Sequence, residues 1–295
     1  MIIRDKPGLP QLLFAVRGSV LPHIALPMIL LIGFSALLVG VDRWITPLPT
    51  SAATPFSVLG VGLSLFLGFR NNAAYDRWWE ARRLWGGLIA DLRAFSREAE
   101  VFLPKDDLAR VLRLALLFVH QLRCQLRRLP PDAAALAWGP GPANRPDAAC
   151  AALDAITALL AAARQAGTLD GYGALTLSAR LSGMTRAQAA CEGIAATPLP
   201  YVYSLLIFRS VYLYCLLLPL ALIGPEGWLT PLFTALIAYA FLGLAEVTED
   251  LAHPFSASLN AMPLDAICRT MEISLAPHLG LPAPPPMAPR DFHLG

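Results

Sequence analysis

The chain has 295 residues, of which 56% are apolar and only 15% are charged, and its mean hydropathy is +0.54. Ordinary soluble proteins carry roughly 25% charged residues, so this composition argues against a soluble domain and indicates a membrane protein. The formal net charge of +2 comes without a basic run or an aromatic RNA-binding motif, which argues against nucleic acid as a partner.

Three stretches are apolar enough and long enough to be membrane helices, which need about 20 residues. Residues 24–41 and 228–245 carry no charge, and residues 201–224 carry only Arg209. An arginine deep in a membrane indicates a functional role, whereas one near the inner interface snorkels or pairs with a carboxylate. Both interpretations of Arg209 stay open.

A shorter apolar segment, residues 56–69, is predicted to be the second span. Residues four apart share one face of a helix, and here they form a small stripe and a bulky stripe: Gly60, Ser64 and Gly68, then Val61, Leu65 and Phe69. Small residues let membrane helices approach closely. A ring of such helices would point the bulky stripe at a central axis, as a hydrophobic constriction that gates by dewetting. An ordinary buried helix with a small-residue contact also fits the two stripes.

The remaining segments predict an all-α protein with four spans and a large cytosolic portion. Helical periodicity covers residues 75–103, 108–129, 148–165 and 174–195, whereas proline and glycine predict a loop at 130–146 and a turn at 170–173. The predicted organisation in chain order is an N-terminal cytosolic segment 1–23, two spans with the neck in 24–69, a helical insert 70–200, two spans in 201–245, cytosolic C-terminal helices in 246–280, and a proline-rich disordered tail 281–295.

Positive charges predict the orientation. Arg4, Lys6 and Arg17 precede the first span, Arg43 alone follows it, and residues 225–227 between the last two spans hold no cation. Because short cytoplasmic loops are enriched in Lys and Arg, both termini are predicted to be cytoplasmic. The sixteen Lys and Arg of the insert add little weight, since long domains cross membranes largely regardless of charge.

No pattern of catalytic or metal-binding residues is present. The five histidines share no ligand spacing, the five cysteines form no CxxC pair, and no phosphate-binding glycine loop occurs. We therefore predict neither an enzyme nor a bound cofactor or metal. Three carboxylates follow the last span, Glu246, Glu249 and Asp250, and they either pair with cytoplasmic arginines or line an ion path.

At this point the residues resemble a known family. The run from Pro55 through Phe69-Arg70-Asn71-Asn72-Ala73-Ala74-Tyr75-Asp76-Arg77-Trp78-Trp79-Glu80-Ala81-Arg82 is similar to the bestrophin signature. Residues 197–201 (TPLPY) and the Glu249-Asp250 pair ahead of His253-Pro254-Phe255 resemble it as well. The resemblance extends to about residue 275 and is strongest with bacterial homologues.

Bestrophins are pentameric ion channels with four transmembrane regions per subunit and a helical cytosolic portion. The resemblance implies that Val61, Leu65 and Phe69 form the apolar neck around the shared pore. It also implies a second constriction at the cytosolic exit, in the turn before the last cytosolic helix. Counting back from residues 197–200 places Tyr172 there.

One departure from the family concerns calcium. In animal members an Asn-Pro-Phe-Gly motif is followed by acidic residues that bind calcium, whereas here residues 253–256 (HPFS) are followed by residues 257–261 without a carboxylate. Calcium takes about six to eight oxygen ligands, including carboxylates. We therefore predict no calcium clasp and no calcium gating.

Together with these patterns, the resemblance implies a homopentameric channel that passes monovalent ions through the lipid bilayer of a bacterial inner membrane. The sign of the ion stays open, because the family is named for chloride whereas bacterial members are associated with cations. Four acidic residues would favour cations if they face the pathway: Asp170, Glu246, Glu249 and Asp250. The cations of the insert would favour anions. A secondary transporter and a membrane-tethered helical scaffold are the alternatives.

Overall fold

The computed structural model describes residues 1–2, 8, 18–49, 53–139 and 147–294. Over these residues the regular structure is helical apart from isolated β-bridges, which confirms the predicted all-α fold. The α-helices of the described residues, in chain order, are α1 Leu21–Trp44, α2 Ala53–Phe102, α3 Lys105–Leu126, α4 Ala133–Leu136, α5 Ala148–Gln165, α6 Gly171–Ala196, α7 Tyr201–Glu226, α8 Thr230–Ala252 and α9 Leu264–Leu275. Arg4, Lys6 and Arg17 of the predicted N-terminal segment lie outside the described residues, as do residues 140–146 of the predicted loop.

The chain divides into two compact units. The first, here called the polar unit, comprises Met1–Arg4, Trp79–Thr197 and Pro254–Gly295, and the second, the apolar unit, comprises Asp5–Trp78 and Pro198–His253. Helix α2 belongs to both, because it continues for 50 residues without a break. The sequence predicted a separate helix from residue 75. No proline follows Pro55 within α2, so the backbone hydrogen-bond ladder runs on through Arg70 and Asn71.

The apolar unit packs α1, the first part of α2, α7 and α8 around one core. Its centre contains Leu67 of α2, Val211 and Tyr214 of α7, and Leu242 of α8. The hydroxyls of Ser35 and Thr234 hydrogen-bond at 3.4 Å between α1 and α8, where both residues are fully buried. Such bonds hold membrane helices together, because the surrounding lipid offers no polar partner.

Large apolar side chains cover the outside of this unit. Leu26, Ile29, Leu30 and Leu37 of α1 are each more than 60% exposed. A soluble protein rarely leaves so large an apolar patch in water, so lipid or other chains are expected to cover it. Within the described part of the chain, three segments are long and apolar enough to cross a membrane: Leu21–Trp44, Ala148–Gln165 and Tyr201–Ala252.

Two of these three segments correspond to predicted spans, and the third does not. Tyr201–Ala252 contains both α7 and α8, joined through a short 3₁₀ helix at Gly227–Leu229. Ala148–Gln165 is α5, which the sequence placed in the cytosolic insert. Its many alanines make α5 only moderately apolar, and Leu153 and Ile156 are buried inside the polar unit.

The polar unit is organised around α3, which packs against α5, α6 and α9 and is buried along most of its length. Its buried charges are paired. Arg123 contacts Asp132 and bonds Asp265 at 2.5 Å, while Arg127 bonds the other oxygen of Asp265 at 2.7 Å. Burial alone would raise the pKa of the Asp265 carboxyl, but hydrogen bonds from these two arginines and their charges hold that pKa below its ordinary value.

A second buried pair lies on the same helix. His120 Nε2 is 2.8 Å from Glu272 Oε1 of α9, and Arg269 contacts the other carboxylate oxygen at 2.7 Å. Burial again pushes the pKa of Glu272 upward, yet the hydrogen bond and charge of His120, helped by Arg269, keep that pKa below its usual value. Both carboxylates are therefore ionised partners that link α9 to the centre of the unit.

Local hydrogen bonds change two details of the prediction. The predicted loop contains a one-turn helix, α4, because Asp132 caps it by accepting from Ala135 N at 3.0 Å. The predicted turn at 170–173 is instead the start of α6, where Asp170 accepts from Gly173 N at 2.6 Å. Residues 281–289 have no regular secondary structure and residues 290–293 form a turn, after which the Leu294 carbonyl accepts a hydrogen bond from the Met1 amino group at 2.7 Å. The disorder of this tail stays a prediction.

Candidate ion pathway

The bulky stripe of α2 points away from the core of its own subunit. Val61, Leu65 and Phe69 are 62%, 57% and 64% exposed, whereas Leu63 and Leu67 are 5% and 0% exposed. Residues two apart lie about 200° round a helix, so the two sets occupy opposite faces. In the isolated subunit the stripe is therefore an apolar surface without cover.

The small stripe beside it has two different environments. Gly60 lies under the ring of Tyr214, and a Cβ atom placed on Gly60 would be 2.7 Å from the Tyr214 hydroxyl oxygen. The space around Gly68 is open, and Ser64 is exposed with its hydroxyl donating to the Val61 carbonyl at 2.8 Å. Of the three residues of the small stripe, Gly60 is the one whose small size is required by packing inside the subunit. The role of Ser64 and Gly68 in helix packing around the pore stays a prediction.

Tyr172 is the most exposed large hydrophobic side chain of α6, at 81%. It occupies the first turn of that helix, next to Gly173, where a Cβ atom would come within 2.8 Å of the Phe102 side chain. This close contact and the Asp170 cap hold the turn in place. The carboxylate of Asp170 stabilises the helix N-terminus, a position at which negative charge is favourable. The Asp170 side chain thus caps α6, and its role beside the ion pathway stays a prediction.

The acidic group at the end of α8 is divided by its contacts. Glu249 forms an ion pair with Arg70 of α2 at 2.5 Å, and its side chain remains 40% exposed. Glu246 and Asp250, three residues before and one after it, are partly buried on the same helix. Of the two roles weighed from sequence, the structure shows pairing with an arginine for Glu249.

Arg70 is the residue that sequence analysis did not single out. It follows Phe69 directly, yet it is only 1% exposed. Its Nη2 donates to Glu249 and, at 2.9 Å, to Ser204 Oγ, and its guanidinium carbon lies 5.4 Å from the centre of the Phe208 ring. The spacing of Leu63, Leu67 and Arg70 was the available signal, because it places Arg70 on the buried face.

A cavity of about 400 Å³ opens beside this ion pair, within the apolar unit. Its walls come from the start of α7 and the end of α8, and they include all three groups that contact Arg70: Ser204, Phe208 and Glu249. The imidazole Nδ1 of His253, also in the wall, lies 3.0 Å from the Glu249 carbonyl oxygen. Glu249 therefore faces an open space on the side away from Arg70.

Arg209 lies on the exposed side of α7, and its guanidinium makes no ion pair with the part of the chain that the structure describes. Among those same residues, no three His, Cys, Asp or Glu side chains lie close enough to hold a metal ion. The prediction that calcium does not gate the protein rests on the sequence alone.

Comparison with known proteins defines the family. The model of the bacterial and fungal bestrophin proteins matches residues 1–277. A voltage-dependent anion channel-forming protein of Mesorhizobium japonicum is 43% identical over 99% of this chain and 96% of its own length. The voltage-dependent anion channel-forming protein YneE of Escherichia coli K12 is 37% identical over 93% of each chain.

Solved structures agree with this result. A crystal structure of a bacterial bestrophin homolog from Klebsiella pneumoniae superposes with a TM-score of 0.82, at 31% identity, over 88% of this chain and 99% of that chain. The protein described here belongs to the bestrophin family, in its bacterial and fungal branch. The resemblance noted from the second-span motif is therefore confirmed over nearly the whole chain.

Proposed function

We propose that this protein is a bestrophin-type ion channel, a homopentamer that passes monovalent ions passively through a neck lined by Val61, Leu65 and Phe69. The observation that carries the proposal is the orientation of this stripe. Its three side chains are more than half exposed on the face of α2 opposite Leu63 and Leu67, which fill the core of the subunit. A stripe so placed is available to a shared axis.

The physical basis of the neck is the cost of wetting a narrow apolar passage. Water and ions enter such a constriction only when it widens enough to be hydrated, so a small change in radius separates conducting from non-conducting states. The flanks of the same helix expose Val58, Leu59 and Phe66 as well. Neighbouring copies of α2 would cover these flanks, with Ser64 and Gly68 allowing close approach.

The proposed topology has four spans, formed by α1, the first part of α2, α7 and α8, in a bacterial inner membrane. Both termini and the polar unit are then cytoplasmic. The Phe56–Phe69 part of α2 is short for a helix that faces lipid, which suits a position enclosed by other subunits. Helix α5 stays outside the membrane in this topology, because its apolar face already packs on α3.

The ion sign is a separate proposal, and the charges decide it. The curated relatives are named for anion channels. An apolar neck selects neither sign, so the charged residues near its ends determine which ion passes. Glu249 is paired with Arg70, which leaves Glu246 and Asp250 as the unassigned acidic candidates near the end of α8. Weighing the named relatives and this pairing together, we propose anions as the permeant species.

The decisive experiment compares purified wild-type protein with Leu65→Ala in planar bilayers. Shrinking Leu65 should widen and wet the neck and raise the single-channel conductance severalfold. Leu37→Ala is the matched control, because Leu37 lies on the apolar helix α1 and is exposed to a similar degree as Leu65. Conductance that is unchanged by Leu65→Ala, or raised equally by Leu37→Ala, would show that the stripe does not line the pathway.

Two further measurements separate the alternatives. The reversal potential under a salt gradient gives the ion sign and demonstrates passive flux, which a coupled transporter would not show. The mass of the particle in detergent gives the subunit number. Five copies support the channel, whereas one or two copies without conductance would favour a transporter or a membrane-tethered scaffold.

A further inference from the structure

We infer that Arg70 is a positioning residue for the neck: by binding Glu249 it sets the place of the Phe69 turn of α2 and so controls how often the channel conducts. This inference rests on the proposed channel function. It assigns to Glu249 a mechanical role, in place of the role of a charge that lines the ion pathway.

Arg70 lies on the buried face of α2, directly after Phe69. Phe69 and Arg70 are neighbours in one helical turn, yet Phe69 is 64% exposed and Arg70 is 1% exposed. The turn thus has a face towards the proposed pathway and a face inside the subunit. Because a helical turn moves as a rigid piece, displacement of Arg70 displaces Phe69 by a similar distance.

Arg70 is held by groups from two other helices, α7 and α8. Its Nη2 donates to Glu249 Oε2 of α8 at 2.5 Å and to Ser204 Oγ of α7 at 2.9 Å, and the guanidinium also packs on Phe208 of α7. One cation therefore joins α2 to the two other helices at the end of the neck.

Arg70 makes both of these hydrogen bonds through a single nitrogen, Nη2. Arginine normally binds a carboxylate through two parallel hydrogen bonds. Here Nε and Nη1 are buried and have no hydrogen-bond partner among the described residues. Buried donors without partners are unfavourable, so the guanidinium is held less firmly than its burial suggests. A different arrangement of Arg70 and Glu249 then costs less than breaking a bidentate pair would.

Glu249, the carboxylate that binds Arg70, has room to move. Glu249, Ser204 and Phe208 all line the 400 Å³ cavity, and the Glu249 side chain is 40% exposed. The carboxylate can turn into this space without any change in the core of the subunit. Two discrete arrangements of one contact are the kind of element that switches a protein between states.

A second contact between α2 and α8 does not involve Glu249. Arg77 Nε donates to the Ala252 carbonyl at the end of α8, at 2.9 Å, two turns further along α2. When Glu249 leaves Arg70, Arg77 still holds α2 against α8. The freed part of α2 is then the turn next to Phe69, so the movement is confined to the neck.

The test is a cycle of four proteins in planar bilayers: wild type, Glu249→Gln, Leu65→Ala and the double variant. Glu249→Gln should change the open probability about tenfold, in the range of ordinary coupling between sites, and leave the reversal potential unchanged. In the Leu65→Ala background, where the neck is already wide, Glu249→Gln should have no effect on open probability. Glu226→Gln removes the same charge from the last residue of α7, at the opposite end of that helix from Ser204, and should leave open probability as in wild type.

Each other outcome contradicts the inference in a recognisable way. An effect of Glu249→Gln that persists in the Leu65→Ala background, or that shifts the reversal potential, would assign Glu249 to the ion pathway. An equal effect of Glu226→Gln would point to charge in general. Failure of Leu65→Ala itself to change conductance would overturn the proposed neck, and this inference with it. If Glu249→Gln does not assemble, Ser204→Ala, which removes the neutral partner, gives the same test.

Discussion

Tyr214 of α7 lies over Gly60 of α2 so closely that no side chain fits between them. A Cβ atom at position 60 would be 2.7 Å from the tyrosine oxygen and 3.3 Å from the ring carbon that carries it. The tyrosine itself packs edge-to-face on Phe241 of α8, with ring centres 5.3 Å apart. This contact fixes how closely α2 packs against α7, and it gives the first stability test.

Gly60→Ala should therefore destabilise the subunit by about 1–3 kcal/mol, the usual cost of overpacking. Differential scanning fluorimetry in detergent would show this as a lower Tm. Gly62→Ala is the matched control, because nothing lies within 4 Å of its Cβ position. Adding Tyr214→Phe to Gly60→Ala removes the clashing oxygen and should restore part of the Tm. A double variant no more stable than Gly60→Ala would contradict the contact.

Gly68 provides a test of assembly. The space around it within the subunit is open, so a larger residue should fold normally. If the small stripe packs against a neighbouring copy of α2, Gly68→Leu should reduce the fraction of pentamer without unfolding the subunit. Native mass spectrometry measures the first effect and circular dichroism the second. Full retention of the pentamer would show that position 68 lies outside the subunit interface.

Tyr172 is predicted to form the cytosolic aperture. Tyr172→Ala should leave the fold intact, because the ring is 81% exposed, and should raise conductance or change the permeability ratio of ions of different size. Leu175→Ala is a suitable control, since Leu175 is 73% exposed one turn later on α6. Equal permeability ratios in Tyr172→Ala and wild type would place the aperture elsewhere, such as at a residue one or two positions away.

The paired carboxylates of the polar unit predict sensitivity to acid. The pKa values of Asp265 and Glu272 in the folded protein lie below their ordinary values of 3.8 and 4.5, because arginine and histidine partners outweigh the effect of burial. A lowered folded pKa stabilises the protein above the unfolded pKa, and this contribution is lost as pH falls through the folded value. Thermal stability should therefore fall as the pH drops below about 4.

Asp265→Asn should reproduce that loss at pH 7. Removing one partner of a buried pair costs about 3–5 kcal/mol, so the Tm at pH 7 should drop and its dependence on pH should become weaker. Asp107→Asn breaks an exposed pair with Arg110, at 3.7 Å, and should change the Tm little. A pH dependence as steep in Asp265→Asn as in wild type would show that other groups control acid stability.

Sequence alone determined the features that depend on local pattern. Low charge and long apolar stretches indicated a helical membrane protein, and four-residue spacing separated Val61, Leu65 and Phe69 from the small residues beside them. The limits of α5 were predicted at both ends, because alanine-rich periodicity between Pro146 and Gly167 leaves little choice. The second-span motif also led directly to the family.

Only the tertiary structure decided which groups meet across the chain. Arg70 and Glu249 are 179 residues apart, and His120 and Glu272 are 152 apart, so no local pattern could pair them. The same holds for Gly60, whose small size serves Tyr214 of its own subunit. Helical periodicity states which residues share a face, whereas the partner of that face depends on how distant helices pack. Burial then pairs charges such as Arg70 and Glu249, because an isolated charge inside the protein is too costly to keep.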